Sequence, residues 1–303
     1  MVFKKQAFTL IEMIFVIIII GILSIFGTNM YISTYETYLK SSTLNKIQNQ
    51  TEIALAQIKN RLQYRIKSSA IAFDPSSTAL GASFYVPLGQ ADVNYSVLEW
   101  VGYDIDSFLG GDNNVNPDWS GFCDIDASTA AGTFTSPGSR FDRAANSIGR
   151  MSNGTVNLAV AGANNPAVIF INDVPSARSF GWENNLTTLS NVHPVASTGL
   201  TTFATAGGWP GKTVVEQYKL SWTAYALAPE GRNLFLYYNY RPWDGGIYDV
   251  NGSKSLLAEN VTAFRFRQDG TALQIQLCVD DNNLTRNLYG EEGFAFCKEI
   301  TIF

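Results

Sequence analysis

Residues 8–27 constrain this chain more than any other stretch: Phe-Thr-Leu-Ile-Glu-Met-Ile-Phe-Val-Ile-Ile-Ile-Ile-Gly-Ile-Leu-Ser-Ile-Phe-Gly. A helix needs about 20 predominantly apolar residues to cross a hydrocarbon core, and this run supplies them. Glu12 is its only charge and stands near the amino end. A short leader, residues 1–7, precedes it and carries Lys4 and Lys5. A secretory signal puts its small-residue cleavage site after the apolar region, so that the apolar part is lost. Here the small residue, Ala7, comes first, and a cut there would leave the run in place. By the positive-inside rule the two lysines keep the amino end in the cytoplasm and place everything beyond Gly27 outside it. A chain of this kind is a single-span anchor followed by an extracytoplasmic stem and head.

The stem is predicted over residues 28–73. Tyr31, Tyr35 and Tyr38 share one stripe, and Ile47, Leu55, Ile58, Leu62 and Ile66 continue at spacings of three to four, as an amphipathic helix requires. No Pro or Gly interrupts until Pro75, which would end the helix. Anchor and stem together predict one helix of roughly 60 residues, or ~90 Å at the helical rise. Its second half needs a surface to cover the stripe. Lys40, Lys46, Lys59, Arg61 and Arg65 read as a solvated face.

Residues 74–212 are rich in Gly, Asn, Ser, Thr and Ala, with short apolar bursts at 157–160 and 168–171. They read as short strands joined by long loops, a β-rich insertion lobe. From 213 to 303 the pattern sharpens into an antiparallel sheet. Tyr218, Leu220, Trp222 and Ala224 alternate with polar residues as one half-buried strand. The chain turns at residues 229–233 and returns through Leu234, Leu236, Tyr238 and Tyr240.

Asp269-Gly270 has the composition of a two-residue hairpin turn. That register pairs Phe266 with Leu273, Phe264 with Ile275, and Arg265 with Gln274. In the next hairpin, placing Cys278 opposite Cys297 sets Ile275 against Ile300 and Leu273 against Ile302. The apolar residues of all three strands then share one face, Lys298 excepted, and a one-residue slip destroys the agreement. A Cys278–Cys297 disulfide is the consequence, suited to an oxidising compartment, with Cys123 as the odd thiol.

The amino-terminal residues Lys4-Lys5-Gln6-Ala7, then Phe8-Thr9-Leu10-Ile11-Glu12, resemble the type IV prepilin signal shared by pilins and type II secretion pseudopilins. The resemblance implies cleavage between Ala7 and Phe8, methylation of the Phe8 amine, and Glu12 as the fifth mature residue. Gly21 falls where such proteins carry a glycine; Ala7 replaces the usual glycine before the cut. The resemblance also pairs Glu12 with the Phe8 amine of a neighbouring subunit, setting axial register. Read from the residues alone, Glu12 is either a functional intramembrane acid or a headgroup-level carboxylate favoured by the helix dipole. Farther on, Tyr225-Ala226-Leu227 and the run from Leu256 to Phe266 resemble the C-terminal half of minor pseudopilin J and its pilus relatives.

No catalytic constellation is visible. His193, the only histidine, is read as a loop residue without a role, and there is no phosphate loop or paired-cysteine metal motif. The chain is therefore expected not to be an enzyme. Its net charge of −5 leaves no basic patch for nucleic acid. No cofactor is expected, with one reservation: Asp104, Asp106, Asp112, Asp118, Asp124 and Asp126 supply the hard oxygens calcium prefers, although their spacing does not match the twelve-residue calcium loop. A solvated acidic loop is the alternative. Asn185 and Asn283 sit in acidic-extended N-glycosylation patterns.

These readings predict an α+β fold: a long N-terminal helix, transmembrane and then amphipathic, packed on an antiparallel head with a large β-rich insertion. The function expected is that of a minor pilin-like subunit of a type II secretion pseudopilus, at its tip. The alternative is a minor pilin of an adhesive, motile or DNA-uptake type IV pilus. Expected partners are other pilin-like subunits, the inner-membrane assembly platform and a prepilin peptidase. The expected location is the inner membrane, with the head in the periplasm or in an extracytoplasmic filament.

Overall fold

The computed structural model describes residues 9–76, 85–92, 94–110, 117–128, 132–171, 177–182, 186, 192–205, 215–281 and 294–303. Its class is α+β: a long apolar N-terminal helix followed by a β-rich head of antiparallel sheets. Two compact units are distinguished. One comprises Met1–Gln50 with Asp280–Phe296, the other Thr51–Val279 with Cys297–Phe303.

Helix α1 runs from Leu10 to Leu62, 53 residues without a break. Within the second unit, Thr51, Ala54, Leu55, Ile58 and Leu62 are buried, at the three-to-four spacing that makes one stripe. The helix stops eleven residues short of the predicted 73. Residues beyond it form a 3-10 turn at Lys67–Ser69 and then strand β1, Ile71–Phe73. No Gly or Pro marks this end. Tertiary pairing imposes it: Ile66 N–H donates to the Val101 carbonyl (2.9 Å), and Ile71 lies fully buried between two partner strands.

Strands β2 (Tyr85–Pro87), β3 (Val97–Gly102), β9 (Thr223–Glu230), β10 (Asn233–Tyr240) and β11 (Ser253–Ala258) join β1 in a six-stranded sheet ordered β11-β10-β9-β3-β1-β2. Every residue of β3 is buried, as expected of a strand covered on both faces. A five-stranded sheet is ordered β4-β7-β6-β5-β8, from β4 (Thr133–Thr135), β5 (Ala167–Phe170), β6 (His193–Ser197), β7 (Thr202–Thr205) and β8 (Tyr218–Ser221). Both large sheets thus mix strands from either side of residue 212, so the insertion lobe does not close on itself as a separate sheet. The single strand predicted over 218–224 is two strands, broken at Trp222 and feeding different sheets.

Strand β5 serves two cores by alternation. Ala167 and Ile169 enter a cluster with Ile71, Val101, Phe180, Tyr240 and Trp243. Val168 and Phe170 enter another with Phe134, Phe141, Phe203, Tyr218 and Trp119. Successive side chains on a strand point to opposite faces, so one strand can anchor both. Helix α3, Phe141–Met151, covers the second cluster with Phe141, Ala144 and Ile148. The burst at 157–160 is irregular chain, not a strand.

The third sheet has the order β12-β13-β14, from Val261–Asp269, Ala272–Asp280 and Ala295–Ile302. The observed register pairs Phe266 with Ile275, Phe264 with Leu277 and Arg265 with Gln276. It is displaced by two residues from the predicted one, because the two-residue turn is Gly270-Thr271 rather than Asp269-Gly270. Gly270 takes the positive φ of +58° that such a turn demands.

Candidate functional site

Among the described residues, the first half of α1 has the properties of a functional surface. It is the one helix long and apolar enough to cross a membrane, and none of its apolar window is buried. Met13, Ile17, Ile20, Leu23 and Phe26 are all exposed. Burial of apolar area is worth about 25 cal/mol per Å², so a surface of this extent demands a lipid or protein environment.

Glu12 lies in the first turn of α1. Its backbone N–H donates to the Thr9 carbonyl (3.1 Å) and lies 3.4 Å from Thr9 Oγ1, so Thr9 acts as the helix cap. Thr9-Leu10-Ile11-Glu12 has the Ser/Thr-x-x-Glu spacing of a capping box, a local signal that the prepilin motif overlaps and hides. The carboxylate near the helix start is favoured by the dipole, and Glu12 is exposed among the described residues. Ala7 and Phe8 lie outside the described residues.

The predicted stem stripe divides into two parts. Leu55, Ile58 and Leu62 are buried, whereas Tyr31, Tyr35 and Tyr38 stay exposed. Lys298, the exception on the apolar face of β14, meets Glu52 of α1 at 2.8 Å.

Cys278 and Cys297 form a disulfide whose Cα atoms are 4.0 Å apart, while Cys123 is buried and reduced. Burial raises the Cys123 thiol above its ordinary value.

The aspartates do separate local work. Asp104 caps helix α2 (Ile105–Phe108) by accepting from Ser107 N–H at 3.2 Å. Desolvation pushes its carboxyl up to about 7, with Asp106 and Asp118 adding repulsion. Asp118 is buried and accepts from Ser147 Oγ (3.4 Å). Asp124 accepts from Ala127 N–H (3.1 Å), closing a turn. Asp106 and Asp126 are exposed, and Asp112 lies outside the described residues. Among the described residues no group of three or more His, Cys, Asp or Glu is placed to hold a metal ion. His193 is in strand β6, buried, with its ring 6.0 Å from that of Phe170; it is not a loop residue. Asn185 and Asn283 lie outside the described residues.

A family model, the prokaryotic N-terminal methylation motif, matches residues 3–28. No curated protein and no solved structure matches the chain. The matched segment contains Glu12 and most of the exposed apolar run, and it supports a type IV pilin-like protein anchored in a membrane by this helix.

Proposed function

We propose that this chain is a minor pilin-like subunit, cleaved between Ala7 and Phe8 and methylated on the Phe8 amine. It assembles through the first half of α1 into a type II secretion pseudopilus, at or near the tip. The exposed apolar surface of residues 10–26, headed by Glu12, carries this reading. Such a surface is satisfied by lipid before assembly and by neighbouring helices afterwards, so transfer from bilayer to filament exposes none of it to water. A carboxylate drawn into that apolar bundle needs a positive partner, and a neighbour's Phe8 amine supplies one. The run from Leu256 to Phe266, on β11 and β12, resembles minor pseudopilin J and its type IV pilus relatives alike, so the choice between the two machines falls to the partners. The head would then lie in the periplasm or on the filament. A head of this length, about 230 residues after the stem, would limit packing between subunits, which suits a tip better than a shaft.

In-cell cross-linking of a tagged copy, with mass spectrometry of its partners and its own amino terminus, tests this. The expected result is a methylated Phe8 terminus and partners from a secretion apparatus. Pilus subunits as partners would move the assignment to a type IV pilus. An intact Met1 with no filament partner would overturn both. Glu12→Ala is expected to leave the protein in the membrane fraction while removing those cross-links.

A further inference from the structure

Between Glu12 and Ser33 lie the 20 residues 13–32, whose most polar members are Ser24, Thr28 and Asn29. At 1.5 Å per residue they cover about 30 Å, the thickness of a hydrocarbon core. The span therefore has two polar ends, Glu12 on one side and the helix beyond Ile32 on the other.

An aromatic stripe marks that second end. Tyr31, Tyr35 and Tyr38 stand at i, i+4 and i+7 on one face of α1 and are 71%, 50% and 66% exposed. The rings of Tyr31 and Tyr35 lie parallel, 6.3 Å apart between centroids. Helical side chains lean toward the amino end, so each ring covers the turn before its own Cα and reaches back toward the apolar span. Tyr31 thus closes the apolar span, while Tyr35 and Tyr38 stand about 4–9 Å beyond Ile32, and rings that lean back from those positions meet the ~5–8 Å layer that phospholipid headgroups fill. Tyrosine suits that layer, because its ring is apolar and its hydroxyl needs a wet or polar partner. Three threonine hydroxyls along this stretch bond to the main chain instead: Thr28 Oγ1 donates to the Ser24 carbonyl (2.8 Å), Thr34 Oγ1 to Met30 (2.8 Å) and Thr37 Oγ1 to Ser33 (2.9 Å).

We infer that Tyr31, Tyr35 and Tyr38 are the outer interfacial anchor of α1: their rings seat in the outward headgroup layer of a phospholipid bilayer and, with Glu12 at the inward headgroup level, fix how deeply the helix sits before assembly. This rests on the reading of α1 as a membrane anchor. It adds a partner, the lipid surface, and assigns it to three residues that lie beyond the matched motif.

The test is depth measurement by electron paramagnetic resonance on the full chain in phosphatidylethanolamine–phosphatidylglycerol vesicles, at high lipid-to-protein ratio. Nitroxide labels are attached at Ile18→Cys, Thr34→Cys or Asn45→Cys, and accessibility to oxygen is compared with accessibility to a nickel chelate. The native thiols do not compete, since Cys123 is buried and the other two are disulfide-bonded. Expected is an oxygen-rich label at 18, a water-like label at 45 and an intermediate label at 34. Replacing all three tyrosines with Ser, which has similar helix propensity, should shift the label at 34 to the value seen at 45. An unchanged depth at 34 in the triple variant would overturn the inference. So would dipolar broadening between labels at 34 of two copies, which would make a second helix the occupant. A water-like label at 18 would instead remove the anchor reading itself.

Discussion

Asp104 caps helix α2 from a site with almost no solvent, and the strain of that position is electrostatic. Burial, with Asp106 and Asp118 nearby, raises its carboxyl to about 7. An unfolded aspartate titrates at about 3.9, so between those values the native chain holds a proton that the unfolded chain has released. Its contribution to stability is therefore complete below pH ~4 and is lost as the pH rises through 7. Asp104→Asn keeps the cap and cannot ionise. Urea unfolding at pH 8 should show the variant more stable by about 1–3 kcal/mol, with the difference vanishing near pH 4. Gly181 makes the opposite point about space. Its φ is +86°, and a Cβ there would stand 2.4 Å from the Pro242 carbonyl oxygen. Gly181→Ala should lower stability by about 1–3 kcal/mol or more, because neither the backbone angle nor the neighbouring main chain can yield cheaply.

Elements show how far periodicity carries an inference. The span of α1 and the β9–β10 hairpin were legible, because one is long and apolar and the other is bounded by a turn around Gly231, which has a φ of +60°. The end of α1 was not, because Tyr64, Arg65 and Ile66 leave the helix to pair with Val101, Gly102 and Tyr103, at the end of β3, rather than at any local signal. Helix α3 was legible and was missed: Phe141, Ala144, Ala145, Ile148 and Met151 recur at three-to-four spacing, but the Gly-, Asn- and Ser-rich chain around them reads as loop. In the β12–β13 hairpin, alternation gave the correct face and the wrong partners. A displacement of two residues leaves every side chain on its own face, so a period of two cannot detect it. At the candidate site, the apolar run and Glu12 were plain and the capping box of Thr9 lay within the same residues, while the exposure of the tyrosines is a tertiary property that periodicity does not carry. Two outcomes are expected at this scale. Reducing the Cys278–Cys297 bridge should cost about 3 kcal/mol in urea unfolding on the chain-entropy account. Breaking the Glu52–Lys298 pair, whose side chains are about two-fifths exposed, should cost no more than ~1 kcal/mol in a double-mutant cycle.

At the scale of the whole molecule, the chain joins a helix half that cannot remain in water to a head whose cores are closed. Full-length protein should resist carbonate extraction from membranes. The charge of −5 does not oppose this, since the span itself carries only Glu12. The disulfide has a further consequence. Cys278 and Cys297 are 19 positions apart, and the Asp281 N–H donates to the Phe294 carbonyl (3.0 Å) just inside the bridge. Both ends of the intervening chain are thus clasped, covalently and by the ladder. A closed loop stays closed in the unfolded state, so lengthening it alters native and unfolded chains almost equally, and even an open loop would lose only about 0.6 kcal/mol per doubling. An insertion between Asp281 and Phe294 is therefore tolerated as long as the bridge holds. Foreign sequence spliced there should leave the melting temperature nearly unchanged under oxidising conditions, while the same insertion after reduction should lower it measurably.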